Sequence, residues 1–169
     1  MKKFNNFIKI FTILIVAIFL IMVFLPIDSI KLIGENKEGL IEINTNNQMT
    51  ITYIHSIYHV LQKEIYSIEN DVLVLTEMYF EDYQAANYYD PYLIKNMKHN
   101  EDGSFVLEKV NKKFSQLKFA LGHKTKYYII INDNIIDLNE TFKNTTFLEI
   151  KAEKTSFINY IVWRIRNAV

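Results

Sequence analysis

Residues 10–25 of this 169-residue chain read IFTILIVAIFLIMVFL, with Thr12 as the only polar side chain. A helix with no polar face cannot lie on the surface of a small water-soluble domain, so this run divides the chain in two. A bilayer core of about 30 Å takes roughly 17–25 helical residues. Residues 8–25 meet that length if the stem of Lys9 carries its amine to the headgroups. Residues 1–27 carry three lysines and no acid, whereas the remainder carries 16 basic and 19 acidic residues, a balance of −3. The formal net charge of zero is therefore a cancellation between two unlike segments. Lysines before the run and Asp28, Glu35 and Glu38 after it predict a single-pass transmembrane helix with a cytoplasmic N-terminus. The run ends Leu25-Pro26-Ile27-Asp28-Ser29 without a small-x-small cleavage signature, which favours an uncleaved anchor. The alternative is a signal sequence removed on secretion. In both cases the main domain is expected outside the cytoplasm.

Composition narrows the chemistry further. With no cysteine there is no disulfide framework, thiolate metal site, cysteine nucleophile or lipid-modified cysteine anchor. A neutral, charge-balanced chain is no evidence for nucleic acid, whose binders usually show a basic patch. No cofactor motif is present: neither a Gly-rich phosphate loop nor a Gly-x-Ser-x-Gly elbow occurs.

Beyond residue 27, short alternating or β-branched runs are punctuated by turn residues. They predict strands at 30–33, 40–44, 49–55, 64–68, 72–80, 104–110, 116–121, 127–131, 135–138 and 146–152. Asn46-Asn47, Asn70-Asp71, Asp102-Gly103 and Asn132-Asp133-Asn134 lie between them, and Asn and Asp tolerate the left-handed conformations of tight hairpins. The fold class expected is mostly β, an antiparallel sandwich or barrel preceded by one N-terminal transmembrane helix. Three segments follow: residues 1–27 as anchor, 28–154 as an extracytoplasmic β domain, and 155–169 as a short helix or strand. Residues 81–100 are polar and tyrosine-rich, a long loop with a short helix near 91–98. For a C-terminal helix, Thr155 or Ser156 is the candidate N-cap.

Candidate chemistry is sparse. His55 and His59 have the i, i+4 spacing of a helical metal pair, but they follow a strand pattern and lack a neighbouring Glu. Zinc would require Glu64 or Glu77 to converge on them, and no metal site is expected. His55-Ser56 resembles a base and nucleophile, yet adjacent strand residues point to opposite faces. A turn-capping role for both is the simpler reading. Glu64 and Glu77 interrupt apolar strands. Paired acid–base work would bring them within about 5–10 Å of each other, whereas ordinary strand carboxylates face water.

Ile51-Thr52-Tyr53-Ile54-His55-Ser56, then Glu64-Ile65-Tyr66, then Leu73-Val74-Leu75-Thr76-Glu77-Met78-Tyr79-Phe80 resemble the bacterial domain-of-unknown-function 1850 family. Tyr128-Ile129-Ile130 and Ile135-Ile136-Asp137-Leu138 are similar to its closing hairpin. Where members typically carry Gly-Ala-Gly-Leu-Pro, this chain has Gln84-Ala85-Ala86-Asn87-Tyr88. The resemblance covers residues 38–138 and makes His55, Ser56, Glu64 and Glu77 signature positions without an assigned role. It implies a small protein at the bacterial membrane that accompanies a TAXI-class tripartite transporter, with the permease and its solute receptor as partners. A non-enzymatic accessory is one expectation. An extracytoplasmic hydrolase or small-ligand-binding domain using His55 with Glu64 or Glu77 is the other.

Overall fold

A computed structural model describes residues 2–43, 47–89, 95, 97–122 and 125–167, with the side chains of residues 2–7, 22 and 167 outside the description. The chain opens with helix α1 (Lys2–Phe24), followed by β1 (Pro26–Ile33), β2 (Glu38–Glu42), β3 (Gln48–Ile54), β4 (Leu61–Glu69) and β5 (Val72–Phe80). Then come α2 (Tyr83–Tyr89), β6 (Lys98–His99), β7 (Phe105–Phe114), β8 (Leu117–Ala120), β9 (Tyr127–Ile131) and β10 (Asn134–Asp137). It closes with α3 (Leu138–Thr141), β11 (Phe147–Ser156) and α4 (Phe157–Asn167). The strands form two antiparallel sheets, ordered β2-β1-β11-β8 and β10-β9-β3-β4-β5-β7-β6. The fold is thus mostly β and consistent with the sandwich expected.

Alternation explains why the sheets face each other. In the four-stranded sheet Ile30 lies opposite Ala152 and Leu32 opposite Ile150, all buried. In the seven-stranded sheet buried residues occupy alternate positions of β3 and β4: Met49 and Ile51, then Gln62, Tyr66 and Ile68. These two inner faces merge into one core with Leu73, Met78, Phe80, Ile129, Ile131 and Leu148. Gly34 marks a close approach at one end of the core. A Cβ there would stand 2.8 Å from Thr145 Oγ1 and 3.0 Å from the ring of Phe142.

The hairpin turns follow from side-chain chemistry. Asn70-Asp71 (φ 51° and 64°) joins β4 to β5, and Asn132-Asp133 (φ 51° and 63°) joins β9 to β10. Two successive left-handed residues give the turn whose twist matches paired strands, and Asn and Asp supply it without glycine. The expected turn at Asn46-Asn47 lies partly outside the described residues.

Three expectations need correction or extension. The tyrosine-rich loop contains a helix earlier than expected: Asp82 Oδ1 accepts the Ala85 N–H at 2.9 Å, capping α2, and Ala85 and Ala86 are wholly buried. Small residues there let the helix sit directly on the core, in place of the glycine-rich stretch typical of the resembled family. Most of the helix expected at 91–98 falls outside the described residues. At the C-terminus β11 extends through Ser156, whose Oγ accepts the Asn159 N–H at 3.3 Å and starts α4.

The third concerns α1. Among the described residues no helix is long and apolar enough to cross a membrane. What stands is an apolar helix whose residues 8–21 are all exposed. Its one hydroxyl, on Thr12, donates to the Ile8 carbonyl at 2.9 Å.

Candidate functional site

Period-2 geometry builds the site on the inner face of the larger sheet. Antiparallel partners share a face, so Ile129, Ile51, Glu64 and Met78 form one row across β9, β3, β4 and β5. Tyr127, Tyr53 and Gln62 form the next row toward one end, and Ile131, Met49, Tyr66 and Leu75 the next toward the other. Glu64 therefore sits on the central strand of seven, inside the sandwich, with aliphatic neighbours on both sides.

Two phenols satisfy it. Tyr53, diagonal to Glu64 across the strand pair, donates its hydroxyl to Glu64 Oε1 at 2.8 Å. Tyr66, two residues along the same strand, donates to Glu64 Oε2 at 2.6 Å. Burial, and next the negative charge of Glu64, push both phenols far above the ordinary tyrosine range. The same two causes raise Tyr127. The hydroxyls therefore stay protonated and remain donors at any physiological pH.

A cavity of about 300 Å³ opens against the carboxylate. Tyr53, Tyr66, Tyr127, Phe114 and Phe119 line it together with Ile51, Leu117, half-buried Gln116 and exposed Lys118. The ring of Tyr127 lies 5.4 Å from that of Tyr53 and 5.1 Å from that of Phe119, joining the two sheets through aromatic contact. Lys118 is committed to Glu149 at 3.0 Å, and Glu149 is also paired with Lys151.

His55 has a different task. Its backbone N–H donates to Val60 at 2.8 Å, and its carbonyl accepts the His59 N–H at 2.8 Å. Its Nδ1 accepts the backbone N–H groups of Ile57 (3.3 Å) and Tyr58 (3.4 Å). One residue thus closes the turn between β3 and β4, as the turn-capping reading expected. His59 completes the turn at φ 58°, so the His55–His59 spacing is not that of a helix. Tyr58 and Tyr88 pack against the imidazole. Burial lowers the His55 pKa, partly offset by Asp82. An unprotonated Nδ1 is also what the two N–H donors require.

The four signature positions separate. Glu64 faces the first cavity. His55 and exposed Ser56 line a second of about 250 Å³, which shares Tyr53 and Tyr127 with the first. Glu77 is exposed, opposite Ile65 and Glu108, and so lies on the other face of the sheet from Glu64. The Glu64–Glu77 acid pair considered from sequence is thereby excluded. Glu64 also departs from the expectation that strand carboxylates face water. Among the described residues no group of three His, Cys, Asp or Glu side chains gathers that could hold a metal. Sequence reasoning missed Tyr53, Tyr66, Tyr127 and Phe119. The signal was available for Tyr66, two residues beyond Glu64 and hence on its face.

Fold and site define a small β-sandwich module with a carboxylate-floored, aromatic-walled cavity between its sheets. The chain belongs to the family described as Domain of unknown function (DUF1850), whose sequence model matches residues 49–138, more than half its length. That span runs from β3 through β10 and includes every residue of the Glu64 clamp and cavity wall. Strands β1 and β2, and β11 with both terminal helices, lie outside it. No curated protein and no solved structure matches the chain.

Proposed function

We propose that this protein is a membrane-held, extracytoplasmic binding module that serves as an accessory of a TAXI-class solute transporter. The observation that carries the binding role is the Glu64 cavity. A carboxylate fixed by two phenols is pre-organised to hold a ligand. Its engaged oxygens, and the use of His55 Nδ1 in closing a turn, favour binding over the hydrolase alternative.

Membrane attachment is supported by the two terminal helices. β1 and β11 pair along their length, so α1 and α4 leave the sandwich side by side, and the Phe157 N–H donates to Leu25 at 3.0 Å. α1 presents apolar side chains on every side, a surface that suits the acyl layer and not water. α4 adds Ile158, Val162 and Ile165 on one face, all exposed, with Arg164 and Arg166 placed to meet anionic headgroups. The transporter partnership rests on the family resemblance. An extracytoplasmic site beside the bilayer is where a receptor or permease could be reached.

Membrane fractionation of the full chain tests attachment. It should stay with membranes through high salt and alkaline carbonate, whereas Ile15→Lys/Phe19→Lys should move it to the soluble fraction. Equal distribution of the two would refute attachment by α1. Mild-detergent purification should retain permease or receptor, and unchanged solute uptake in a deletion strain would refute the accessory role.

A further inference from the structure

We propose that the Glu64 cavity binds a small organic cation, a primary ammonium or a guanidinium, through the free lone pairs of the carboxylate and the faces of its aromatic wall. The inference deepens the binding role proposed above and rests on it.

Charge accounting leads to this ligand class. A carboxylate has about four acceptor positions, and Tyr53 and Tyr66 occupy two. Hydroxyls solvate the charge but do not neutralise it. Among the described residues no Lys, Arg or His forms an ion pair with Glu64, and its lateral neighbours Ile51 and Met78 are aliphatic. Lys118, the cation on the cavity lining, already serves Glu149. Glu64 is half-buried, and a carboxylate drawn partly out of water is ordinarily paired, so a cation is the partner that the site can still take.

The walls suit the same class. Tyr53, Tyr127, Phe119 and Phe114 line the same cavity as Glu64, and aromatic faces attract cations electrostatically. The volume of about 300 Å³ falls at the small end of ligand sites. An anion would meet Glu64 without a free counter-charge. A bare metal would meet a single carboxylate where several ligands are needed. An alkylammonium meets both requirements at once: its N–H groups donate to Glu64 and its chain or guanidinium plane packs on the rings.

The test titrates the full chain, in detergent micelles, with n-butylammonium, n-butanol and butyrate, followed by calorimetry with protein-free micelle controls. Saturable binding of n-butylammonium, at least ten-fold tighter than either isostere, is expected. Glu64→Gln should cut that affinity ten-fold or more and leave n-butanol unchanged. Should Glu64→Gln not fold, Phe119→Leu replaces it and should weaken the cation several-fold more than the alcohol. Equal binding of ammonium and alcohol, indifferent to Glu64→Gln, would overturn the cation assignment and leave a binding module. Tighter butyrate binding would also overturn it. No saturable binding of any probe would overturn both the assignment and the cavity's role.

Discussion

Tyr66→Phe removes one oxygen atom from a side chain that is 2 % exposed, and its consequence can be worked out from the site. The lost hydroxyl donates to Glu64 Oε2 at 2.6 Å, a short bond to a charged acceptor. Bonds to charged groups contribute about 1.5–3 kcal/mol net, so a loss of about 2 kcal/mol is expected. With a urea dependence of roughly 2 kcal/mol per molar, the unfolding midpoint should fall by about 1 M. The ring remains, so its edge contact with Phe114 survives and no cavity term adds. The informative measurement is a cycle. In a Glu64→Leu background the Tyr66 hydroxyl has lost its acceptor, and Tyr66→Phe should then cost close to nothing. The coupling should therefore also be about 2 kcal/mol, well above the additivity expected of independent sites. An equal cost of Tyr66→Phe in both backgrounds would refute the clamp as the tie between these residues.

Other perturbations probe the turn and the core. His55→Ala should destabilise by about 1 kcal/mol through the two N–H groups it strands, read by urea unfolding. Because burial holds the folded-state His55 pKa below its unfolded value, its contribution is complete above the unfolded pKa of about 6.5. It is lost as pH falls through the folded-state value, so wild-type stability should drop on acidification and His55→Ala should show less of that drop. An unchanged pH profile would count against the capping role. Gly34→Ala should cost about 1–3 kcal/mol by overpacking against Thr145 and Phe142, and a neutral result would show that Phe142 can move aside. Asp82→Ala should lower stability by about 1 kcal/mol through the lost cap of α2, seen as faster amide exchange at Ala85.

Much of the fold was legible because strand alternation depends on local pattern alone. The spans 72–80 and 127–131 were read to the residue, and Asn70-Asp71 and Asn132-Asp133 announced their turns. What local pattern does not carry is pairing. Ile65 and Glu64 look equally placed in sequence, and only the register of β4 against β3 and β5 turns Glu64 inward and leaves Glu77 outside. Thr76 is the extra residue where the β4–β5 register shifts between Ile65 and Tyr66, and β7 beside it carries Lys109 and Asn111 in left-handed conformations. Phe119 joins the site from the other sheet, 55 residues from Glu64 in sequence and reachable only through the packing of the two layers. The helix α2 was hidden because buried Ala85 and Ala86 resemble loop residues among tyrosines, and its cap, Asp82, lies in a polar stretch that carries no helical period.

A binding site built on Glu64 between the sheets should register a ligand on the tyrosines that line it. Ring-labelled tyrosine NMR of the full chain, with n-butylammonium added, tests it at the residues concerned. Saturable shifts of the Tyr53, Tyr66 and Tyr127 ring signals are expected, with Tyr83 unmoved and all shifts lost in Glu64→Gln. Shifts confined to Tyr83 or Tyr160, or unchanged by Glu64→Gln, would contradict it.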